Sequence, residues 1–255
     1  MESKFYRADE HRAEKVHELF ATIARRYDLL NDIMSAGSHR RWKRRLVELA
    51  GGNARAGSGK RQQVLDLCCG TGDITWLFAR SGASVIGADF AEEMLRVAAA
   101  RCGRESHSRS FACREKVSRL QWIRADALRL PFPDNAFDVV SVGYGLRNLA
   151  DIEKGLREIL RVLRPGGKFL SLDFGKPESR AFRAVYFGYL RTVLPILGRM
   201  FCGDPDTHSY ILASLQDYPA QRGIKELMET CGYGDCGFEE FCLGSMAINF
   251  GSKRQ

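Results

Sequence analysis

The sequence predicts an α/β fold, in which a mostly parallel sheet flanked by helices follows a helical N-terminal extension. The first observation is an apolar, β-rich run at 63–67 that leads directly into a glycine turn at 68–73. The second is a helical run at 74–80, followed by a second strand at 83–88 that ends on Asp89. A strand, a glycine turn, a helix and a strand closing on an acid predict the first βαβ unit of a nucleotide-binding sheet.

The glycine turn, Cys68-Cys69-Gly70-Thr71-Gly72-Asp73, also indicates which nucleoside is bound. Its glycines let a ligand approach the backbone because they have no Cβ. A dinucleotide site would show a third glycine in G-x-G-x-x-G, whereas Asp66 and Asp73 stand at the edges of this turn and would repel a diphosphate. The cationic sulfonium and ammonium groups of S-adenosylmethionine (SAM) suit these carboxylates, so the turn favours SAM over NAD. The alternative is a glycine turn of some other α/β protein.

The later strands place more polar side chains at the same edge of the sheet. Asp89 lies 23 residues after Asp66, where its carboxylate can accept both ribose hydroxyls. The third strand, 120–125, ends at Asp126, which can accept a hydrogen bond from an adenine amino group. A fourth, apolar strand follows at 137–143, and the carboxyl ends of parallel strands share one crevice. The predicted cofactor-binding residues are Asp66, Gly70, Thr71, Gly72, Thr75, Asp89, Phe90, Asp126, Ala127 and Gly143.

The segment after the fourth strand, 144–149, lies where a reacting substrate would be. It contains Arg147 and Asn148, two polar side chains of the kind that stabilise or orient a reacting oxygen. The alternative is that Arg147 pairs with a surface carboxylate and that Asn148 caps the helix predicted at 152–163.

The remaining elements complete the sheet and add an apolar segment. A sharp turn at 164–167 leads into a fifth strand at 168–174, and 237–250 predicts the last two strands as an antiparallel hairpin on the sheet edge. Between them, 180–201 is the most apolar part of the chain and is rich in aromatic residues. This composition is typical of a lid, spanning 178–220, that covers an apolar pocket. It is equally typical of a dimer face. An ordinary core helix is the alternative.

Residues 1–50 are predicted to be helical and to lie over the ligand cleft as a substrate cap. The second half of this segment mixes aromatic, polar and titratable side chains more densely than a packing helix needs. The alternative is a helix packed on the sheet edge, with Tyr27 and Trp42 in the core. A flexible linker at 51–60 separates the cap from a SAM-binding domain at 61–255.

Composition places the chain among ordinary globular proteins. Its 255 residues are 45% hydrophobic and 27% charged, which suits one domain with a small appendage. The sequence has no run near the roughly 18 apolar residues of a membrane helix, and its N-terminus lacks a signal-peptide core, so a cytoplasmic protein is expected. The 8 cysteines form no C-x-x-C pair, and we expect reduced thiols with neither disulfides nor a metal site.

The net charge of +8 and the pI near 9.2 raise the question of an anionic partner. Basic residues concentrate at 40–45 and at 101–119. The first cluster could hold an anionic membrane surface, at about 1 kcal/mol for each basic residue, or be ordinary solvated charge. No aromatic-basic RNA signature accompanies it, so no nucleic-acid partner is expected.

Several motifs together carry a resemblance to a known family. A likeness to class I SAM-dependent methyltransferases rests on V-L-D-L-C-C-G-T-G-D, A-D-F-A-E-E-M-L, D-A-L-R-L-P-F and L-R-P-G-G. A narrower likeness, to the ubiquinone/menaquinone-biosynthesis C-methyltransferases (UbiE/MenG), rests on R-Y-D-L-L-N-D-I-M-S with His39 and Trp42, on G-Y-G-L-R-N-L and on L-D-F-G-K-P. It runs from about Val16 to the C-terminus, and the linker and a basic loop at 103–118 have no obvious counterpart.

The resemblance implies a seven-stranded class I methyltransferase sheet, mostly parallel with an antiparallel last strand, and methyl transfer from SAM to a ring carbon of a prenylated quinol. It associates Arg147 and Asn148 with this chemistry. Arg147 stays protonated and would stabilise a phenolate, while Asn148 would orient an oxygen or a water. Tyr144 or His39 would relay the proton. The predicted substrate contacts are Tyr27, Asn31, Met34 and Trp42.

The resemblance also bears on the acceptor and on where the protein works. We favour demethylmenaquinol, a naphthoquinol, over the benzoquinol precursor of ubiquinone, because the chain shows no mitochondrial targeting segment and is bacterial in style. The isoprenoid tail would lie along 180–201 and the N-terminal helix, and the lipophilic quinol would bring the protein to the inner face of the membrane. Two other classes stay open: a SAM methyltransferase for another small molecule or RNA, and a non-catalytic SAM-binding protein.

Overall fold

The computed structural model of the chain describes residues 32, 35, 37–51, 61–106, 119–202, 212, 214, 215 and 217–255. The predicted substrate contacts Tyr27, Asn31 and Met34 lie outside the described residues, as do most of the predicted cap, linker and basic loop. The division into a substrate cap, a SAM-binding domain and a lid therefore stays a prediction.

The described residues form a seven-stranded sheet flanked by helices. Its strands are β1 (Gln63–Leu67), β2 (Ser84–Asp89), β3 (Leu120–Arg124), β4 (Phe137–Gly143), β5 (Leu163–Phe174), β6 (Tyr233–Phe241) and β7 (Met246–Lys253). The helices are α1 (His39–Leu49), α2 (Asp73–Ser81), α3 (Glu92–Ser106), α4 (Ile152–Val162), α5 (Arg180–Cys202) and α6 (Ala220–Cys231). None of the described helices is long and apolar enough to cross a membrane.

The order of the strands creates a crevice at one edge of the sheet. They lie side by side as β3-β2-β1-β4-β5-β7-β6. The first five run parallel, and β7 is antiparallel to both of its neighbours, β5 and β6. The predicted seven-stranded, mostly parallel sheet with an antiparallel last strand is thereby confirmed. The order of the strands reverses between β1 and β4, and ligands bind at the carboxyl ends of strands beside such a switch point.

Alternating residues of β1 enter two separate hydrophobic cores, one on each face of the sheet. Leu65 and Leu67 belong to the core that also contains the buried side chains of α4 and α6. Val64 belongs to the second core, together with Leu46 of α1 and Phe78 of α2. A strand buried on both faces reads as a continuous apolar run, which is how the sequence predicted β1.

Helix α4 shows how local sequence sets the bounds of an element. It begins after Asp151, whose side chain accepts a hydrogen bond from the backbone N–H of Lys154 at 2.9 Å and so caps the helix. Leu156, Ile159 and Val162 recur on one face and are buried against the sheet. The predicted helix at 152–163 therefore forms almost as predicted.

Strand β5 begins earlier than predicted because an irregularity lies within it. Leu163 pairs with Phe137 of β4, but the next pair joins Lys168 to Val139, so β5 carries several extra residues at this point. The predicted turn at 164–167 is this irregularity, and it lies inside the strand rather than before it.

Candidate active site

A cavity of about 160 Å³ opens at the carboxyl ends of the parallel strands. It is bordered by the glycine turn after β1, by Asp89 at the end of β2, by Asp126 beyond β3 and by Gly143 at the end of β4. This is the crevice that the polar strand ends predicted. Its apolar walls are formed by Leu67, Phe90, Met94, Ala127, Leu128 and Leu149.

The two glycines of the turn are needed for different reasons. Both have left-handed backbone, with φ of 55° at Gly70 and 85° at Gly72. A Cβ at Gly70 would meet only Met94, at 3.9 Å, so it would project into the space of the cavity. A Cβ at Gly72 would lie 2.5 Å from the ring of Trp122, so this glycine is required for packing. Gly70 is therefore the glycine that keeps the backbone accessible to a ligand.

Asp89 is held in place by two backbone amides. Its Oδ2 accepts from the N–H of Gly70 at 2.8 Å, and its Oδ1 accepts from the N–H of Ala91 at 2.9 Å. A carboxylate has about four acceptor sites, so these two bonds leave capacity for the hydroxyls of a ribose. The local geometry thus agrees with the role predicted for Asp89.

Three more of the predicted cofactor-binding residues, Phe90, Asp126 and Ala127, also line the cavity. Phe90 is 38% exposed, and the guanidinium of Arg124 lies 5.5 Å from the centre of its ring. Asp126 is exposed, and its Oδ1 accepts from the N–H of Leu128 at 2.9 Å. Ala127 is buried and forms part of the wall. A flat apolar surface beside a fixed carboxylate suits a purine with an amino group.

Asp66 and Thr75 lie beneath the turn. The carboxylate of Asp66 is 1% exposed and accepts from Thr75 Oγ1 at 2.6 Å and from Ser141 Oγ at 2.8 Å. Burial raises the pKa of Asp66 to about 6, although both hydroxyl donors work against this shift. Thr75 is fully buried, and its predicted contact with the cofactor stays a prediction. Its hydroxyl is committed to Asp66 because the first turn of α2 lies directly over β1.

A second, narrow cavity of about 30 Å³, which we call the branch, lies past the glycine turn and shares Cys68, Gly70, Gly143 and Tyr144 with the first. Thr71, predicted as a cofactor contact, lines it with Lys43 and Asp73, and Lys43 Nζ donates to Asp73 Oδ2 at 2.7 Å. Burial would raise the pKa of Asp73, but the charges of Lys43 and Arg101 outweigh burial and hold it below the ordinary value. The prediction grouped Lys43 with surface charge. A signal in the sequence was its helical spacing of three and four residues from Leu46 and His39, all of them buried.

The loop after β4 is tightly constrained. Tyr144 has left-handed backbone, with φ of 60°, and its N–H donates to the carbonyl of Leu172 at 2.7 Å. A 3₁₀ turn follows at Leu146–Asn148. The carbonyl of Tyr144 accepts from Arg147 Nη1 at 2.7 Å and from Asn148 Nδ2 at 3.4 Å. Tyr144 and Asn148 line the cavity, and their predicted catalytic roles stay predictions.

Arg147 is placed differently from the prediction. Its side chain is 4% exposed and forms an ion pair with Asp173 of β5, with Nη1 2.6 Å from Oδ1. Its guanidinium also lies 4.9 Å from the centre of the Phe174 ring. Arg147 is not one of the described residues that line the cavity. A buried carboxylate holds it behind the loop, and its predicted catalytic role stays a prediction.

The two alternatives for this loop are wrong. Asp173 is as buried as Arg147, so the partner of Arg147 is not a surface carboxylate. Asn148 does not cap α4, since Asp151 does so. The sequence contained Asp173 within the L-D-F-G-K-P motif, but no pattern linked it to Arg147, which is 26 residues away.

His39 and Trp42 lie on α1 and pack against other protein groups. His39 is 3% exposed, with Nδ1 2.8 Å from Ser35 Oγ, and burial followed by the charge of Lys43 lowers its pKa. The ring of Trp42 lies 6.3 Å from that of Phe241 and packs against the second core. The packing of Trp42 agrees with the alternative of a packed helix, and its predicted substrate contact stays a prediction. Neither residue is among the described residues that line the cavity or its branch.

The basic cluster on α1 is largely neutralised within the chain. Arg40 pairs with Asp32 at 2.5 Å, Arg45 pairs with Glu239 at 3.0 Å, and Lys43 pairs with Asp73. Arg41 and Arg44 are exposed. The cluster, predicted either to hold an anionic membrane surface or to be solvated charge, is therefore divided between paired and solvent-exposed side chains.

The residues of the cavity fit SAM. Carboxylates at Asp89 and Asp126 can accept from its ribose and adenine, while Gly70 leaves the backbone open to the ligand. The apolar walls can cover the purine. The concentration of acidic groups around the turn favours a cationic ligand over an anionic one.

Comparison with known proteins identifies relatives over nearly the whole chain. Residues 8–253 match the model of the ubiE/COQ5 methyltransferase family. The chain is 37% identical over 245 residues to the ubiquinone/menaquinone biosynthesis C-methyltransferase UbiE of Stutzerimonas stutzeri, which covers 95% of this chain and 90% of that protein. It is 39% identical over 249 residues to the protein of the same name from Shewanella halifaxensis, covering 96% of this chain and 92% of that protein.

Solved structures share the architecture at much lower identity. A SAM-dependent methyltransferase from Aquifex aeolicus matches with a TM-score of 0.54 and 17% identity, over 80% of this chain and 87% of that one. This likeness shows the fold, which is that of class I SAM-dependent methyltransferases.

Proposed function

The chain belongs to the ubiE/COQ5 methyltransferase family, and on that premise we propose that it methylates a ring carbon of demethylmenaquinol, a prenylated naphthoquinol. It is a SAM-dependent C-methyltransferase of quinone biosynthesis. The benzoquinol precursor of ubiquinone is the second candidate acceptor, because the names of the relatives include both quinones.

The observation that supports a naphthoquinol is the composition of the cavity beside the loop after β4. Tyr144 and Asn148 present one phenol and one amide there, next to Leu149 and Ala150. A fused bicyclic ring buries more apolar surface than a single ring and needs fewer hydrogen-bonding partners from the protein. An apolar wall with two polar side chains suits the larger, less polar acceptor.

The residues of the chain have to position the acceptor and assist the removal of its phenolic proton. When bound, SAM supplies an electrophilic methyl group on its sulfonium. A ring carbon of the quinol must be held about 3–3.5 Å from that methyl group, with water excluded. Asn148 lines the cavity, and its amide can donate to a quinol oxygen as negative charge develops on it.

We assign Arg147 a positioning role. Its ion pair with Asp173 and its hydrogen bond to the carbonyl of Tyr144 fix the loop that carries Asn148. The guanidinium stays protonated and so cannot serve as the base.

Tyr144 is the better candidate for relaying the phenolic proton. It lines both the main cavity and the narrow branch, whereas His39 is buried against Ser35. The hydroxyl of a tyrosine can accept a proton from one neighbour and pass its own to another.

The isoprenoid tail is proposed to lie along α5, within the lid at 178–220. Val185 is 67% exposed and Tyr189 is 38% exposed, while Leu190 on the same helix is buried. Exposed apolar side chains next to a buried one offer a surface for an apolar chain. The substrate cap at 1–50 is proposed to cover the opposite side, through Tyr27, Asn31 and Met34. A dimer face at α5 is the competing interpretation of the same surface.

Incubation with labelled SAM tests the acceptor directly. Purified enzyme is given reduced demethylmenaquinol or the reduced benzoquinol precursor, with tails of equal length, and each product is read by mass. We expect one added methyl group on the naphthoquinol at the higher rate. Faster methylation of the benzoquinol would mean that the benzoquinol, and not demethylmenaquinol, is the preferred acceptor. If neither quinol is methylated while SAM still binds, a different small molecule or RNA is the acceptor.

We also propose that the protein touches an anionic membrane surface to collect its substrate. Arg41 and Arg44 are exposed on α1 and could take part, at about 1 kcal/mol each, whereas Arg40 is exposed but pairs with Asp32. Sedimentation with vesicles of neutral lipid, and with vesicles containing anionic lipid, measures this contact. Equal sedimentation with both vesicle types would show that the two arginines do not bind an anionic membrane surface.

A further inference from the structure

The narrow branch of the cavity is suited to the amino-acid end of the cofactor. The main cavity holds the carboxylates that suit ribose and adenine, at Asp89 and Asp126. The branch leaves it at Gly70 and Tyr144, on the other side of the glycine turn. The methionine portion of SAM ends in an ammonium and a carboxylate, so a site for it needs partners of both signs.

The charges in the branch provide both kinds of partner. Asp73 receives two cations: Lys43 Nζ lies 2.7 Å from its Oδ2, and Arg101 Nη2 lies 2.9 Å from its Oδ1. Because Asp73 carries one negative charge and its two partners carry one positive charge each, this group of three has a net charge of one positive unit. Asp66 lines the same branch and provides negative charge on its other side. An anion placed beside Lys43 would therefore be attracted, while an ammonium would be attracted towards Asp66.

Of the two cations, Lys43 is the one placed inside the cleft. Its side chain is 7% exposed and lines the branch, whereas that of Arg101 is 38% exposed. An ammonium has three N–H donors, and Asp73 accepts from one of them. Charge-assisted hydrogen bonds are strongest where water is excluded, which is the case for a buried lysine.

We propose that Lys43 binds the α-carboxylate of the methionine portion of SAM. The inference rests on the cofactor and not on the identity of the quinol. The alternative is that Lys43 only attaches α1 to α2 through Asp73. The two interpretations predict different effects of a Lys43 substitution on the affinity for a ligand without a carboxylate.

The test compares two ligands by isothermal titration calorimetry. One is S-adenosylhomocysteine, and the other is its decarboxylated analogue, which keeps the amino group. Wild-type protein should bind S-adenosylhomocysteine about 10- to 100-fold more tightly than the analogue. Lys43→Met should weaken S-adenosylhomocysteine by about the same factor and should change the affinity of the analogue less than about threefold. Arg45→Met is the matched control, because it removes an ion pair to Glu239 from the same helix and should leave both affinities unchanged.

Three results would overturn the proposal. Wild-type protein that binds both ligands equally well has no carboxylate site. Equal weakening of both ligands by Lys43→Met would assign Lys43 to the attachment of α1 alone, as would unchanged binding of both. If Lys43→Met does not fold, Lys43→Gln keeps a donor to Asp73 without the charge and is measured in the same way. No quinol is present in these titrations, so an error in the proposed acceptor cannot change their outcome.

Discussion

The two sides of the cavity are built in different ways. On the cofactor side, the two carboxylates that line the cavity accept from amides two residues further on, Asp126 from Leu128 and Asp89 from Ala91, and Asp89 also accepts from Gly70 in the glycine turn. On the acceptor side, the loop after β4 is fixed by a buried ion pair between Arg147 and Asp173, which are 26 residues apart on different elements. The first kind of support is local, whereas the second depends on the assembled sheet.

This difference predicts how each side responds to change. A carboxylate held by neighbouring amides keeps its geometry as long as its own turn forms. A buried ion pair stabilises only while both partners are present, since removing one leaves an uncompensated charge. Substitutions on the acceptor side should therefore affect folding first, and substitutions on the cofactor side should affect binding first.

The largest effect is expected from Arg147→Met. It leaves Asp173 buried without its cation, which should lower the free energy of unfolding by about 3–5 kcal/mol, measured by urea denaturation. In the fraction that stays folded, the affinity for S-adenosylhomocysteine should change little. Arg147→Met combined with Asp173→Leu should recover most of the stability, because an apolar pair has no charge to desolvate. If Arg147→Met is as stable as wild type, the acceptor side does not depend on this pair.

On the cofactor side, Gly70→Ala should separate binding from folding. The added Cβ would enter the cavity and weaken S-adenosylhomocysteine by about 10- to 100-fold in calorimetry. The left-handed backbone at this position should also cost about 1–2 kcal/mol of stability. Gly166→Ala is the matched control, since Gly166 has φ of 75° with no atom within 4 Å of the added Cβ. It should show the stability loss with unchanged affinity; equal affinity losses for both variants would contradict the role of Gly70.

A smaller effect, about tenfold, is expected from pH through Asp66. Burial raises its pKa to about 6, so the carboxylate is charged at pH 7.5 and protonated at pH 5. Only the charged form attracts a sulfonium, so the affinity for SAM relative to S-adenosylhomocysteine should fall as the pH is lowered across this range. Asp66→Asn should show a ratio that does not change with pH. A ratio in wild type that is constant from pH 7.5 to 5 would mean that the cofactor does not sense this carboxylate.

The same shift has a consequence for stability with the opposite sign. The folded-state pKa of Asp66 lies above its ordinary value of 3.8, so between about pH 4 and 6 the native state binds more protons than the unfolded state. The contribution of Asp66 to the free energy of unfolding should therefore fall as the pH rises through this window and be constant above it. Comparing urea denaturation of wild type and Asp66→Asn across these pH values isolates that contribution.

The smallest effect is expected from Val185→Ser on α5. Val185 is exposed, so stability should change by less than about 0.5 kcal/mol. If the tail lies along α5, KM for a long-tailed quinol should rise about threefold, while KM for a tail-less analogue stays the same. Leu243→Ser, at another exposed apolar residue outside α5, should change neither value. A rise in KM for both acceptors would place the effect on the ring rather than the tail.

Lys43 and Trp42 mark where prediction from the sequence became unreliable. Both belong to one short helix whose composition suggested a charged surface and a substrate contact. The helix turns Lys43 towards Asp73 and Trp42 towards Phe241, and both partners are distant in the sequence. Helical spacing can say which residues share a face, but it does not say what that face meets.

The sequence alone determined the order of strands and helices, the glycine turn and the acids at the strand ends, and hence the cofactor. These features depend on interactions within a few residues, such as the amide of Ala91 on Asp89, or on the general geometry of parallel sheets, which brings Gly70 beside Asp89. Only the tertiary structure decided that Thr75 supports the turn, that Lys43 enters the cleft and that Arg147 is buried against Asp173. Each of these rests on a pairing across elements, and side-chain partners far apart in the sequence leave no periodic pattern from which they can be predicted.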